Sequence, residues 1–410
     1  MGLDRCVLCI LTQREPERGM RVLMYTHRWA PSIGGVESIT KSLADGLSER
    51  SRNHPAEALS ITLLTQTPKD TMDDSLLAYR VIRTPNLGEW IRRIRSTDIV
   101  HLAGPSMLPL ALAWLLHKPV VLQHHGYQSI CPNGLLLQGR ERILCPGHFM
   151  AKRYQRCLEC NKAERGWVES IRNLLLTFPR RWLARRATVN VGVSPHVAQR
   201  VMLPRTRVIW NGVPTPEAIA FVSKTPSACS PVCFAYLGRL VAEKGVSVLL
   251  HACKELAMEK SDFRVKIIGD GPERRNLEAM TEELKLGERI EFTGFMTGAA
   301  IAKSMADVVA VVMPSIWEEV SPLAAMEQMM DGRLLIASDI GGLGLVVDNV
   351  GLKFPAGDSK ALASCMRQVL QNPPRATALG LQGRLRAVQT FARNRMVEEY
   401  INLYRTLVRT

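Results

Sequence analysis

Residues 308–313, VVAVVM, are apolar at every position. A strand with one face in water alternates, so a run without alternation has both faces covered, the condition of a parallel strand flanked by helices. A loop with Trp317, Glu318 and Glu319 follows, then a helix-start signal with Ser321 as N-cap and Pro322 in the first helical position. The pattern predicts a helix over 322–330, ending near Asp331-Gly332, and a second strand over 334–337. This β-α-β unit commits the chain to an open parallel sheet, where ligands bind at the junction of strand C-termini and helix N-termini.

Two carboxylates frame that junction. Glu319 precedes the helix, and Glu327 lies about two turns away among Leu323, Ala324, Met326 and Met329. Between them the first amides of the helix, around Ser321 and Leu323, form an anion site. A ligand with hydroxyls at both ends and phosphates between suits this order, and a sugar nucleotide is such a ligand.

The pattern PS-x-x-x-E-x7-E, followed by IASDIGG, resembles the signature of the family 4 glycosyltransferases, which have the GT-B fold. The resemblance implies two Rossmann-like domains facing across a cleft, an α/β architecture. It implies that Glu319 lies by the donor sugar and that Glu327 binds the ribose hydroxyls. Where the family has Glu-Ala and Pro-Glu, this chain has Glu327-Gln328 and Gly344-Leu345.

A length of 410 residues fits two domains. The charge is lopsided: residues 1–200 hold 28 Lys+Arg against 16 Asp+Glu, which is +12 of the net +15. No helix-turn-helix, RRM or zinc-finger pattern accompanies it, so nucleic acid is not the expected partner. An anionic membrane surface and a plain solvated face both fit. No stretch approaches the ~20 apolar residues of a transmembrane helix. The expectation is a cytoplasmic protein, peripheral to the membrane if its basic half is used.

Further motifs sit at predicted strand ends. Residues 1–20 read as a tail, and a first Rossmann-like domain is expected over 21–203. There Gly34 and Gly35 follow a strand over 21–25, letting backbone amides approach a phosphate. His125, with His124 second, ends a strand over 120–123 and can hydrogen-bond a sugar hydroxyl or handle a proton. A Pro-rich linker is expected over 204–230 and a nucleotide-sugar domain over 231–390. A helix at 391–410 is expected to pack back on the first domain. In G-R-x4-K-G after the strand 232–237, Arg239 offers a fork and Lys244 a point charge for a diphosphate. The resemblance adds Gly294 and Phe295 near the base, and His125 against the transferred sugar.

Residues 126–170 form an insertion with Cys131, Cys145, Cys157 and Cys160. Cys157-x2-Cys160 has the spacing of one metal knuckle, so a structural zinc site is expected, with His148 able to replace one thiolate. Unliganded thiols are the other reading, and disulfides fit a cytoplasmic protein least. Residues 171–187 read as an amphipathic, Arg-rich helix that either lies on a membrane or closes the first domain.

No Asp-x-Asp occurs, so no catalytic metal is expected and Arg239, Lys244 and helix amides must meet the leaving-group charge. The expected activity is retaining transfer of a sugar from a UDP- or GDP-sugar to a glycan or lipid-linked acceptor, in cell-surface polysaccharide or glycolipid synthesis. A sugar-nucleotide epimerase, a phosphorylase and a non-catalytic scaffold are the alternatives, the last motivated by Gln328 and Leu345.

Overall fold

The computed structural model describes residues 19–408 except 32–33, 56–57, 70–72, 140–141 and 217–230. Most of the expected tail and the second half of the expected linker lie outside the described residues.

The first half opens with β1 (Met20–Thr26), α1 (Gly35–Asn53), β2 (Leu59–Thr65), β3 (Arg80–Arg83) and α2 (Leu87–Ser96). Then come β4 (Ile99–Leu102), α3 (Met107–Leu115), β5 (Val120–His124) and a small hairpin, β6 (Leu137–Gln138) with β7 (Ile143–Leu144). It ends with α4 (Tyr154–Ala184), β8 (Val189–Gly192), α5 (Pro195–Val201) and β9 (Thr206–Val208). Seven strands pair in parallel in the order β3-β2-β1-β4-β5-β8-β9.

The second half repeats the plan with β10 (Val232–Leu237), α6 (Val246–Met258), β11 (Phe263–Ile268), α7 (Arg274–Glu283) and β12 (Ile290–Gly294). It continues through α8 (Ala299–Ser304), β13 (Val308–Met313), α9 (Leu323–Met330), β14 (Leu334–Ser338), α10 (Gly341–Val346) and β15 (Leu352–Phe354). Three helices close it: α11 (Ser359–Gln371), α12 (Pro373–Phe391) and α13 (Arg393–Val408). Its six-stranded parallel sheet has the order β12-β11-β10-β13-β14-β15.

Both sheets are covered on both faces. In β1, Leu23 and Tyr25 join one apolar layer while Val22 and Met24 join the other. In β13 every residue is buried, as its unbroken apolar run requires. Side-chain caps start the helices where the sequence supplies them: Ser194 for α5, Asp358 for α11 and Asn372 for α12.

Two features cross between the halves. Val213 donates to the Phe391 carbonyl at 2.8 Å, and Arg393 donates back to Val213 at 2.9 Å, so the two crossovers are laced together. A Cβ on Gly212 would stand 2.7 Å from the Arg393 Cα, which keeps that position a glycine. Then α13 lays Met396, Tyr400, Ile401 and Tyr404 onto the first sheet, beside Leu43 and Leu47 of α1.

Three expectations need correction. β9 lies inside the expected linker and extends the first sheet as an edge strand. The Arg-rich helix begins at Tyr154, well before residue 171, and breaks at Gly166, whose φ of 77° and ψ of 173° are not helical. Ser321 does not cap α9: the helix starts at Leu323, with Pro322 in the cap position and no side-chain cap.

Candidate active site

All strands of the second large sheet run parallel, so the loops after β10, β11, β12, β13 and β14 gather at one of its edges. After β10, the Tyr236 hydroxyl donates to the Arg239 carbonyl at 2.7 Å and Gly238 N–H donates to Ile268. A short 3-10 turn over Ala242–Lys244 ends at Gly245, with φ of 65°. A Cβ there would fall 2.1 Å from the Pro314 carbonyl oxygen, so only glycine lets this loop lie against the one after β13. Ile316 N–H donates to the Glu243 carbonyl at 3.0 Å across the same junction.

That packing brings Lys244 Nζ to 2.9 Å from Glu319 Oε2. Glu319 is buried, and its other oxygen accepts the Ser315 hydroxyl. Gly341 and Gly342 explain the double glycine of the motif: a Cβ on either would meet backbone of residues 318–320 within 2.8 Å. Gly342 N–H also donates to the Glu319 carbonyl at 2.6 Å.

Arg239 is exposed and makes no side-chain hydrogen bond or ion pair among the described residues. The Ser321 hydroxyl, at the entrance to α9, is buried and has no partner among the described residues. Across the gap, Gly35 at the start of α1 faces Leu323, whose Cδ1 would be 3.8 Å from a Cβ on that glycine. Gly34 is the extended cap residue of α1. After β12, Gly294 (φ 78°) accepts from Gly269 N–H at 2.9 Å, and Phe295 is 64 % exposed beside it.

Glu327 is not enclosed among its apolar neighbours: it faces outward from α9, with no side-chain partner among the described residues. The surrounding walls still strip solvent from it. That desolvation, followed by the like charge of Asp331, pushes its carboxyl up to about 7. Gln328, where the family has Ala, is buried and accepts from Arg333 Nη1 at 3.0 Å.

On the opposite wall, His125 directly follows β5, with Nε2 at 3.0 Å from Gln123 Oε1. The Gln123 amide donates to the Tyr400 hydroxyl of α13. Burial, then the neighbouring His101 and His124, pushes the His125 ring down to about 3, which favours the neutral ring. His124 is fully buried with Nε2 at 2.9 Å from Asn190 Oδ1, which makes it a core histidine rather than a second ligand group.

A clamp between the halves escaped the sequence reading. Glu318 Oε2 takes Arg200 Nε at 2.9 Å, and His196 Nε2 stands 3.4 Å from the same oxygen, both from α5. Desolvation would raise the Glu318 carboxyl, but those partners outweigh it and hold it low. The Tyr127 hydroxyl donates to the Glu318 carbonyl, the Ser194 hydroxyl to Val320, and Trp317 Nε1 to Leu135. Only the neighbouring Glu319 hinted at this loop, and nothing in the sequence pairs position 318 with 196 or 200.

The expected zinc site does not take shape. Among the described residues no three His, Cys, Asp or Glu side chains are grouped to hold a metal ion. The thiols are near one another but turn to amide groups: Cys131 Sγ donates to Asn133 Oδ1 at 2.9 Å, and Cys160 Sγ to the Leu137 carbonyl at 3.3 Å. His148 Nε2 is engaged with Gln138 Oε1 at 3.1 Å. Burial pushes the Cys131 thiol up to about 11 and Cys157 to about 12, which favours thiols over thiolates.

Two parallel-sheet domains laced at their crossovers, with strand ends facing a shared cleft, define a GT-B fold. The same fold occurs in HepE from Anabaena, solved with UDP, at a TM-score of 0.70 and 17% identity, covering 94% of this chain and 100% of that one. It occurs in sucrose-phosphate synthase from Thermosynechococcus elongatus, with a TM-score of 0.69 and 21% identity over 95% and 99% of the two chains. The Glycosyltransferase Family 4 model matches residues 33–217, and the model for Glycosyl transferases group 1 matches 222–386. The chain belongs to glycosyltransferase family 4. Among curated relatives, 2-deoxystreptamine glucosyltransferase of Streptomyces kanamyceticus is 30% identical over 50% of this chain and 57% of its own length. The lipopolysaccharide core biosynthesis glycosyltransferase LpsD of Rhizobium meliloti is 31% identical over 41% and 48%. The chain thus spans about half the length of these relatives. Among the described residues, no helix is long and apolar enough to cross a membrane.

Proposed function

We propose that this protein is a retaining glycosyltransferase that moves a sugar from a nucleotide-sugar donor to a glycan or lipid-linked acceptor in polysaccharide or glycolipid synthesis. The second domain holds the donor, the first takes the acceptor, and the work is done at the cytoplasmic face of a membrane. One observation carries the reading. An exposed arginine without an anionic partner, Arg239, shares a cleft edge with Lys244 and with an unpartnered buried hydroxyl, Ser321, at the entrance to α9. Donors left unsatisfied by the protein itself suit a diphosphate that the protein does not contain.

In this reading Arg239 and Lys244 stabilise the departing diphosphate, and Lys244 shares its ammonium between Glu319 and a phosphate oxygen. Glu319 stands by the donor sugar, Glu327 accepts the ribose hydroxyls, and Gly34 and Gly35 leave room for the phosphate opposite Leu323. Phe295 and the Gly294 backbone receive the base. His125, neutral and oriented by Gln123, hydrogen-bonds a hydroxyl of the transferred sugar. UDP-sugars are the first donors to test, because HepE is solved with UDP-glucose as well as UDP.

The test is turnover with UDP- and GDP-sugars against glycan and lipid-linked acceptors, products being identified by mass spectrometry. Arg239→Ala and Lys244→Ala should each slow transfer by roughly 10²–10³-fold, the effect of removing one preorganised donor. Normal turnover by both variants with a donor the parent protein uses would remove the diphosphate assignment. Tight donor binding without product across the panel would favour a non-catalytic role.

A further inference from the structure

Beyond the Gly166 break, α4 wears its apolar side outward. Trp167, Val168, Ile171, Leu175, Phe178 and Trp182 are all exposed, Val168 at 83 % and Leu175 at 60 %. At 3.6 residues per turn these six fall within an arc of roughly 100°, a continuous stripe about 23 Å long. The side turned to the protein is mixed: Leu174 and Leu183 join core clusters there, beside smaller and polar groups. Ser170, Thr177 and Ala184 are buried there, and the two hydroxyls bond back to the Gly166 and Asn173 carbonyls at 2.6 and 2.7 Å. A helix that only closed a domain would carry polar groups on its outer face.

Charge and aromatic rings say what the stripe meets. Residues 162–186 hold seven Lys+Arg and two Asp+Glu. One of the two acids, Glu169, is occupied by Arg172 at 3.3 Å and Arg165 at 3.6 Å. Each end of the stripe pairs an exposed tryptophan with a cation. Lys162 Nζ sits 4.4 Å over Trp167, and the Arg186 guanidinium lies 3.4 Å over Trp182. Trp114 of α3 packs edge-on to Trp182 at 5.4 Å, and exposed Leu115 adjoins it. Amphipathic rings beside cations at the rim of an apolar strip match the headgroup level of a bilayer. A second copy of this chain on the same face would set like charges against each other, which disfavours self-association.

We propose that the α4 stripe, with Trp114 and Leu115, is a docking face for an anionic lipid bilayer, with the helix lying in the plane of the headgroups. The face also adjoins the cleft. Arg180 Nη1 donates to the Gln128 carbonyl at 3.3 Å, and Phe178 packs on Phe149 and Tyr154, so the segment after His125 lies directly behind the docked helix. The docking does not depend on the proposed transfer reaction.

The experiment uses the full chain with vesicles of phosphatidylcholine alone and with about one third phosphatidylglycerol, read by co-sedimentation and tryptophan emission. Binding to the anionic vesicles only is expected, with a blue shift at low salt and release at ~1 M salt. The double variant Val168→Ser/Leu175→Ser alters two exposed side chains and should bind at least about tenfold more weakly. Leu385→Ser, exposed elsewhere at 67 %, should bind like the parent. No binding to either vesicle, or equal binding by the double variant, overturns the proposal. Oligomerisation through this face without vesicle binding overturns it in favour of a second copy. Because the readout is binding, neither failure bears on transfer.

Discussion

Gln123 donates its side-chain amide to the hydroxyl of Tyr400, 277 positions further along the chain. In this arrangement the Gln123 amide turns its nitrogen to α13. Its oxygen then faces His125 Nε2 at 3.0 Å, a geometry that favours the tautomer with the proton on Nε2 and Nδ1 as an acceptor. Tyr404 supports the same corner, its hydroxyl 2.5 Å from His101 Nδ1. The last helix of the chain thus bears on the tautomer of a histidine in the opposite domain's cleft wall.

Tyr400→Phe tests that relay. Phenylalanine keeps the packing but leaves a buried amide nitrogen unsatisfied, costing about 1–3 kcal/mol. The amide is then free to flip. The expected result is a mixed Nδ1/Nε2 tautomer for His125 by ¹⁵N NMR, with turnover reduced several-fold and nucleotide affinity nearly unchanged. A variant that melts earlier but keeps a pure Nε2–H signal would make Tyr400 a packing residue only.

Glu327 sets a pH dependence with two opposing signs. Its carboxyl is raised from 4.5 to about 7 in the fold, chiefly by desolvation. The folded chain therefore holds this proton more tightly than the unfolded chain. Its contribution to stability is greatest at low pH and is lost as the pH rises from about 4.5 through about 7. Donor binding runs the other way, because only the carboxylate accepts from two ribose hydroxyls. Nucleotide affinity should rise up to about tenfold between pH 6 and pH 8, and Glu327→Gln should be weaker and flat. Calorimetry showing the same slope in the Gln variant would assign the titration to another group.

Much of this architecture was legible from residue patterns. The runs at Val232–Leu237 and Val308–Met313 coincide with β10 and β13, because a segment with no polar side has nowhere to go but a covered strand. Asp358 starts α11 with its side chain on Ala361 N–H. What failed was short or directional. Thr206–Val208 is three residues of an edge strand whose stability comes from β8, and no periodicity fits in that length. Pro322 holds the chain outside the helical turn, so the Ser321 hydroxyl loses its capping role and stays buried without a partner among the described residues. Cysteine spacing did bring the thiols near each other, but where each Sγ turns depends on Asn133 and the Leu137 carbonyl, which spacing does not encode. The Glu318 clamp joins residues 118 apart across two domains, beyond any local signal.

Gly245 carries the last prediction, since the loop that presents Lys244 rests on it. Its φ of 65° is in the left-handed region, which an alanine enters at a cost of about 1–2 kcal/mol. The added methyl would also stand 2.1 Å from the Pro314 carbonyl oxygen, a backbone atom that retreats only if the two loops part. Together these should cost Gly245→Ala roughly 2–4 kcal/mol, seen as a lowered urea midpoint for the second domain. The site should suffer beyond that loss, because parting the loops withdraws Lys244 from Glu319. Under conditions where the variant is still folded, nucleotide affinity should fall together with turnover. An alanine variant that unfolds at the parental midpoint and binds nucleotide normally would show that the loops tolerate separation, and that Lys244 is placed by something other than this contact.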